Sequence, residues 1–189
     1  NGITFADCAH FLIVTEESLE DCSARLPEGV IMDIRKFRPN VVLRVSPAPW
    51  DEDYWGAVKI HGNNDDGDGI VMPLTANCIR CTSINIDYDT GKPGEGEEGK
   101  MLKKLMSDRR VDKGAKYSPI FGRYGYLGKG LGKTINVGDE VDVTKRLAER
   151  TTWGELFSCL HRSLTSGRLA GVTMRADNNL IDWPGLGTA

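Results

Sequence analysis

Residues 77–93 read NCIRCTSINIDYDTGKP, and the fold turns on whether the chain after the second cysteine is helix or strand. A Cys-x-x-Cys that opens a helix after a strand is the thioredoxin-like redox arrangement, where the helix N-terminus lowers a thiol pKa. Here Ile84, Ile86 and Tyr88 alternate with Asn85 and Asp87, the period of two expected of a strand with one buried face. Residues 82–89 are therefore expected as strand, which argues against the redox geometry. A zinc site would need a second ligand pair at suitable spacing. Cys22 and Cys159 are isolated, and no His-x3-His follows. Spacing alone favours Cys78 and Cys81 as two buried thiols acting as small hydrophobes.

Outward from this stretch the chain reads as many short strands. HFLIVT at 10–15 is a β-branched apolar run, expected as a buried strand. It feeds a helix in which Thr15 is the N-cap and Leu19, Cys22 and Leu26 share one face, with Pro27 and Gly29 ending it. IMDIRKFRPNVVLRV at 31–45 is expected as two strands around FRPN, where Pro39 removes a ladder donor. Residues 47–55 are a loop. WGAVKI and GIVMPL are further strands around the polar hairpin loop HGNNDDGDG at 61–69. KMLKKLMSDRR at 100–110 is a short helix with Leu102, Leu105 and Met106 inward. SPIFGRYGYLG and TINVGDEVDVTKR are the last strands, joined by a glycine-rich turn at 128–132. The fold class expected is mixed α/β, mainly β: a barrel or sandwich with a few short helices.

Composition sets bounds on function. A chain of 189 residues can bury a real core. Its net charge of −3 gives no field favouring nucleic acid or an anionic membrane. No apolar run approaches the ~20 residues of a membrane span. Five cysteines, an odd and sparse set, point to a reducing, intracellular setting and not to a disulfide framework. With only three histidines, a metal cage made wholly of protein ligands would be hard to build. The start at Asn1, with no basic segment before the apolar run, is not a signal peptide. A fragment or processed product is expected, with its targeting segment not present.

RKFRPN gathers Arg35, Lys36, Arg38 and Asn40. One reading is a solvated basic strand edge. The other is an anion clamp, because arginine offers a planar fork of donors and asparagine adds an amide. YLGKGLGKTI lacks the Walker ending and spacing, so it is read as a hairpin turn. The acidic group Glu16, Glu17, Glu20 and Asp21 is read as a solvated helix face.

FRPN, an Arg-Cys followed by D-x-D-T-G, and FG-x-Y occur here in the order seen in MOSC domains, the C-terminal domains of molybdenum-cofactor sulfurases. Over roughly residues 5–143 the chain resembles this family, and within it the branch of the mitochondrial amidoxime reducing component. The resemblance implies a MOSC-type β-barrel over residues 1–150, with its N-terminal portion missing. It leaves 151–189 as an atypical tail in which 153–181 is an insertion.

The resemblance also changes the reading of the cysteine pair. It implies that Cys81 ligates molybdenum and is the catalytic thiolate, with Cys78 structural. Arg38, Asn40, Arg80, Tyr124, Cys8 and Ala9 are the implied cofactor-binding residues. The implied cofactor is molybdenum–molybdopterin, while pyridoxal phosphate attaches only through general family descriptions. The implied activity is reduction of N-hydroxylated substrates such as amidoximes. Electrons would come from NADH through a flavoprotein reductase and a b-type haem protein, in mitochondria or cytoplasm. Two further readings remain, a sulfur- or cofactor-carrier module and an inactive cofactor-binding fragment.

Overall fold

The computed structural model describes residues 8–44, 46–62 and 69–154, and the backbone of 174–176 and 179–181. The chain divides into two compact units, Asn1–Trp153 and Gly154–Ala189. Six strands of the first unit form one sheet: β1 Phe11–Thr15, β2 Val41–Leu43, β3 Trp55–His61, β4 Ile70–Ile79, β5 Ile120–Gly125 and β6 Glu140–Arg146. Their order is β2-β1-β5-β4-β3-β6, with β1 and β2 parallel and the other pairs antiparallel. The sheet is curled and open, a half-barrel, with two short helices, α1 Glu16–Ala24 and α2 Met101–Met106. The mainly-β fold expected from the sequence is the fold observed.

The second unit contains an antiparallel pair, β7 Met174–Ala176 and β8 Asn179–Ile181. The expectation that 153–181 is an insertion falls, apart from these backbone strands and residues 153–154, outside the described residues.

The β1–α1 junction follows the sequence closely. Thr15 is extended and its hydroxyl accepts from the Ser18 amide, with Glu16 and Glu17 in the first turn where the helix dipole favours negative charge. Other expectations need correction. Residues 31–37 are not strand: Asp33 caps a 3-10 turn, Ile34–Phe37, by accepting from Arg35 N at 2.9 Å. Nor are residues 82–89 strand. β4 runs through Cys78 to Ile79, and Thr82–Asn85 is another 3-10 turn. Only Ile84 of its alternating apolar residues is fully buried, and Tyr88 is 46% exposed. In α2 the buried residues are Met101 and Leu105. β5 and β6 are sequential but not neighbours, because β4 and β3 lie between them.

Two buried layers form on the two faces of the sheet. Val14, Phe37, Ile84, Met101, Leu105 and Phe121 pack together on the side of the helices. Ile13, Trp55, Val58, Ile60, Met72 and Leu74 pack together on the opposite side. A smaller group, Ala9, Leu12, Cys78 and Tyr124, extends the first layer, because Leu12 and Val14 alternate onto one face of β1.

Phe121 and Tyr124 sit three residues apart, yet both join this face. The reason is a β-bulge: between Asn77–Arg123 and Ile79–Ile120, β5 uses three residues against two of β4. Gly122 carries the bulge at φ +85, where an added Cβ would lie 2.8 Å from the Ile13 carbonyl oxygen and from Val14 Cγ1. The glycine of FG-x-Y thus puts both of its aromatics on one surface.

Several buried charged side chains are hydrogen-bonded to groups distant in sequence. Asp53 accepts from Arg109 Nη2 at 2.9 Å and from Arg150 Nε at 2.7 Å. Arg123 is fully buried and donates to Asn77 Oδ1, Thr151 Oγ1 and the carbonyls of Trp55 and Leu74. Asn77 in turn donates to Asp112 at 2.6 Å and to the Thr151 carbonyl at 2.8 Å. These bonds hold Thr151 to β4 and β5 and Arg150 to Asp53.

Candidate functional site

The FRPN corner begins where the 3-10 turn ends. Arg38 is left-handed, φ 55 and ψ 43, a conformation uncommon for a residue with a Cβ. It reverses the chain so that Pro39 and Asn40 lead into β2. Asn40 then pairs with Leu12 in both directions. Its amide donates to the Leu12 carbonyl at 2.9 Å, and its Oδ1 accepts from Leu12 N at 2.7 Å. The corner is thereby fastened to β1, while the Arg38 and Asn40 side chains remain exposed. Asn40 keeps its Nδ2 group as a donor that β1 does not use.

Cys81 lies just past the end of β4 and is exposed. Its Sγ is 3.2 Å from Ser83 Oγ, and its carbonyl accepts from Ile84 N at 3.4 Å. The loop is pinned on both sides. Arg80 N donates to the Pro119 carbonyl at 2.9 Å, and Asn85 Oδ1 accepts from Leu102 N of α2 at 3.0 Å.

Arg80 turns inward. Its Nε and Nη2 donate to the Phe121 carbonyl at 2.9 and 2.6 Å, and its Nη1 donates to the Phe37 carbonyl at 2.6 Å. The guanidinium also lies 5.3 and 5.6 Å from the Phe37 and Phe121 ring centres. It is 6% exposed and has no carboxylate partner among the described residues.

The remaining sequence candidates gather on the neighbouring patch. Cys78 is buried and donates its thiol to the Tyr124 hydroxyl at 3.2 Å. Ala9 packs in the same cluster, which Tyr126 and Trp153 flank. Cys8 is exposed, and its carbonyl accepts from Tyr126 OH at 3.0 Å. The two cysteines of the pair thus have opposite environments, one enclosed and one presented.

D-x-D-T-G is a turn closed by its own first carboxylate. Asp87 Oδ1 accepts from the amides of Asp89 and Thr90 at 2.9 and 2.8 Å and from Thr90 Oγ1 at 3.1 Å. Those Thr90 and Asp89 donors hold the Asp87 carboxyl below the usual carboxylate range. The turn sends Tyr88 back over the FRPN corner, where its hydroxyl donates to the Arg35 carbonyl at 3.2 Å.

Glu52 was not legible as a special residue in the acidic run DED. It is fully buried, and its Oε2 accepts from Ser18 Oγ at 2.9 Å and Thr15 Oγ1 at 3.1 Å. Its Oε1 has no hydrogen-bond partner. Burial pushes the carboxyl up to about 7, against the lowering effect of the Ser18 bond.

A curled mainly-β domain with an exposed cysteine beyond a central strand, its preceding arginine bonded to the chain just before an FRPN corner, defines the class. The MOSC domain family profile matches residues 1–142, and the chain belongs to the MOSC domain family. Mitochondrial amidoxime reducing component 2 of Rattus norvegicus is 33% identical over 140 residues, covering 74% of this chain and 38% of that protein. Mitochondrial amidoxime-reducing component 1 of Homo sapiens is 34% identical over 143 residues, with the same two shares. Molybdenum cofactor sulfurase of Arabidopsis thaliana is 35% identical over 120 residues, covering 59% of this chain and 13% of that protein. The chain thus spans 38% of the length of the amidoxime reducing components it matches.

Proposed function

We propose that this domain binds a molybdenum cofactor through Cys81 and belongs to an oxidoreductase acting on N-hydroxylated substrates such as amidoximes. The observation that carries the reading is Cys81 itself, an exposed thiol on a pinned loop beside a buried guanidinium that lacks a carboxylate partner among the described residues. A thiolate is a soft ligand suited to a molybdenum–dithiolene centre. A buried cation without a counter-charge suits an anionic group nearby. Among the described residues no three His, Cys, Asp or Glu side chains are grouped to hold a metal ion. A metal at Cys81 would therefore bring further ligands of its own, as a pterin dithiolene does.

Bound molybdenum would supply the two electrons that reduce an N–O group, with two protons taken up from solvent and the oxygen leaving as water. The chain's part is to hold and orient. Cys81 ligates the metal, and Arg38 and the Nδ2 of Asn40 donate to the phosphate and pterin of the cofactor. Ala9 and Tyr124 form a packed wall, with Cys78 fixing the Tyr124 hydroxyl. Cys8 adds backbone groups where the chain enters β1. The relatives' names support an amidoxime substrate, and our reading takes the setting as mitochondrial or cytoplasmic. A b-type haem protein and an NADH-dependent flavoprotein are the electron donors we assign, inside the cell. Pyridoxal phosphate has no part in this reading.

The likeness to molybdenum cofactor sulfurase favours a second reading, in which Cys81 carries sulfur or a cofactor in transit. Metal analysis after expression in a cofactor-competent host separates the two. Stoichiometric molybdenum that is lost in Cys81→Ala supports the oxidoreductase. Cyanide-labile sulfur on Cys81 without metal supports the carrier. Neither signal overturns both and leaves an inert domain.

A further inference from the structure

We infer that Arg80 is a positioning residue, which locks the Cys81 loop and the Arg38 corner into one unit through the backbone carbonyls of Phe37 and Phe121. Cys81 follows Arg80 directly, and Phe37 directly precedes Arg38. The guanidinium spans the two, with one bond to Phe37 and two to Phe121. Three chain segments far apart in sequence, at 37, 80 and 121, therefore meet on one side chain.

The surroundings leave this side chain little freedom. Phe37 and Phe121 pack edge to face, with ring centres 4.5 Å apart, and both rings flank the guanidinium. Arg80 N is tied to Pro119, so the backbone at the root of the side chain is fixed as well. A planar fork with donors on separate edges can serve two carbonyls at once, while a lysine head on a flexible stem cannot reproduce that geometry. The Gly122 bulge matters here too, since it turns Phe121 onto the face where Arg80 finds it. An arginine beside a functional cysteine thus acts through the backbone it binds: it sets where Arg38 and Cys81 stand relative to each other.

This inference rests on the reading of Cys81 as the functional thiol, but its test needs no cofactor. Hydrogen exchange and per-site alkylation with iodoacetamide are measured on wild type, Arg80→Lys and Arg80→Gln. In Arg80→Lys, amides in 36–41 and 80–86 are expected to exchange at least tenfold faster, and Cys81 to alkylate several-fold faster. β3 and β6 should keep wild-type protection. Unchanged local protection with Cys81 alkylation within twofold of wild type overturns the proposal, as does a uniform rise across the sheet. If neither variant folds, native-state exchange of the wild type in increasing urea decides. The amides around Arg38 and Cys81 should open with one common urea dependence, and separate openings overturn the coupling. Molybdenum content of the wild type tests the functional reading independently of either result.

Discussion

Asn40 and Leu12 are bonded twice, by the Asn40 amide to the Leu12 carbonyl at 2.9 Å and by the Leu12 amide to Asn40 Oδ1 at 2.7 Å. One side chain thus extends the parallel pairing of β1 and β2 by a step before β2 begins. Asn40→Ala removes the acceptor from Leu12 N and should cost about 1–2 kcal/mol in urea unfolding. Asn40→Asp keeps the acceptor but loses the Nδ2 donor. It should retain most of the stability while weakening any anionic ligand at the corner, which separates the two roles of the residue.

Gly122→Ala tests the bulge. The new methyl group would meet backbone and side chain of β1 at a φ that favours glycine. A loss of about 2 kcal/mol or more is expected from strain and displacement together. Thermal or urea unfolding measures it. A variant as stable as wild type would show that β5 can straighten without cost.

Glu52 makes stability depend on pH. Its carboxyl is held near 7 in the folded protein against 4.5 for the ordinary group. Below the lower value both states are protonated and the contribution is complete. Between the two values the folded state binds more protons than the unfolded state, so stability falls as pH rises. Above about 7 both states are ionised and the contribution is lost. Glu52→Gln should therefore gain on wild type by roughly 2–3 kcal/mol between about pH 5 and about pH 8. A constant difference across that range would mean the buried carboxyl titrates normally.

The buried pair Arg109–Asp53 should behave differently from the surface pairs. Arg109→Met strands the Asp53 carboxylate in the interior, with Arg150 as its remaining partner. The expected loss is about 3 kcal/mol. Lys113→Ala breaks its 3.6 Å contact with Glu149 at the surface. It should fall within about 0.5 kcal/mol of wild type in urea unfolding.

Cysteine reactivity should separate the thiols. Cys81 and Cys8 are exposed, whereas Cys22 and Cys78 are buried. Burial also pushes the Cys22 thiol up to about 12. Per-site alkylation of the native protein should label Cys81 and Cys8 and leave Cys22 and Cys78 until unfolding.

Local patterns in the sequence were enough for much of this fold. The apolar run ending at Thr15, the cap at that residue and the helical spacing of Leu19, Cys22 and Leu26 determine the β1–α1 unit, because capping and periodicity are short-range effects. The order of FRPN, Arg-Cys, D-x-D-T-G and FG-x-Y likewise sufficed for the family. Tertiary structure decided the rest. Residues 82–88 alternate as a strand should, but Ile84 is drawn into the core beside α2, and the Asp87 turn spends the backbone groups a strand would use. Arg80 stands in the sequence only as a cofactor-binding candidate implied by the family resemblance, yet two carbonyls 41 and 43 positions away draw it inward. Glu52 and Asp53 read only as part of the loop at 47–55, and their partners come from Thr15, Ser18, Arg109 and Arg150. Periodicity and caps act within a few residues, so the sequence displays them directly. The burial of a charge depends on which distant groups arrive to satisfy it, and only the folded chain brings those together.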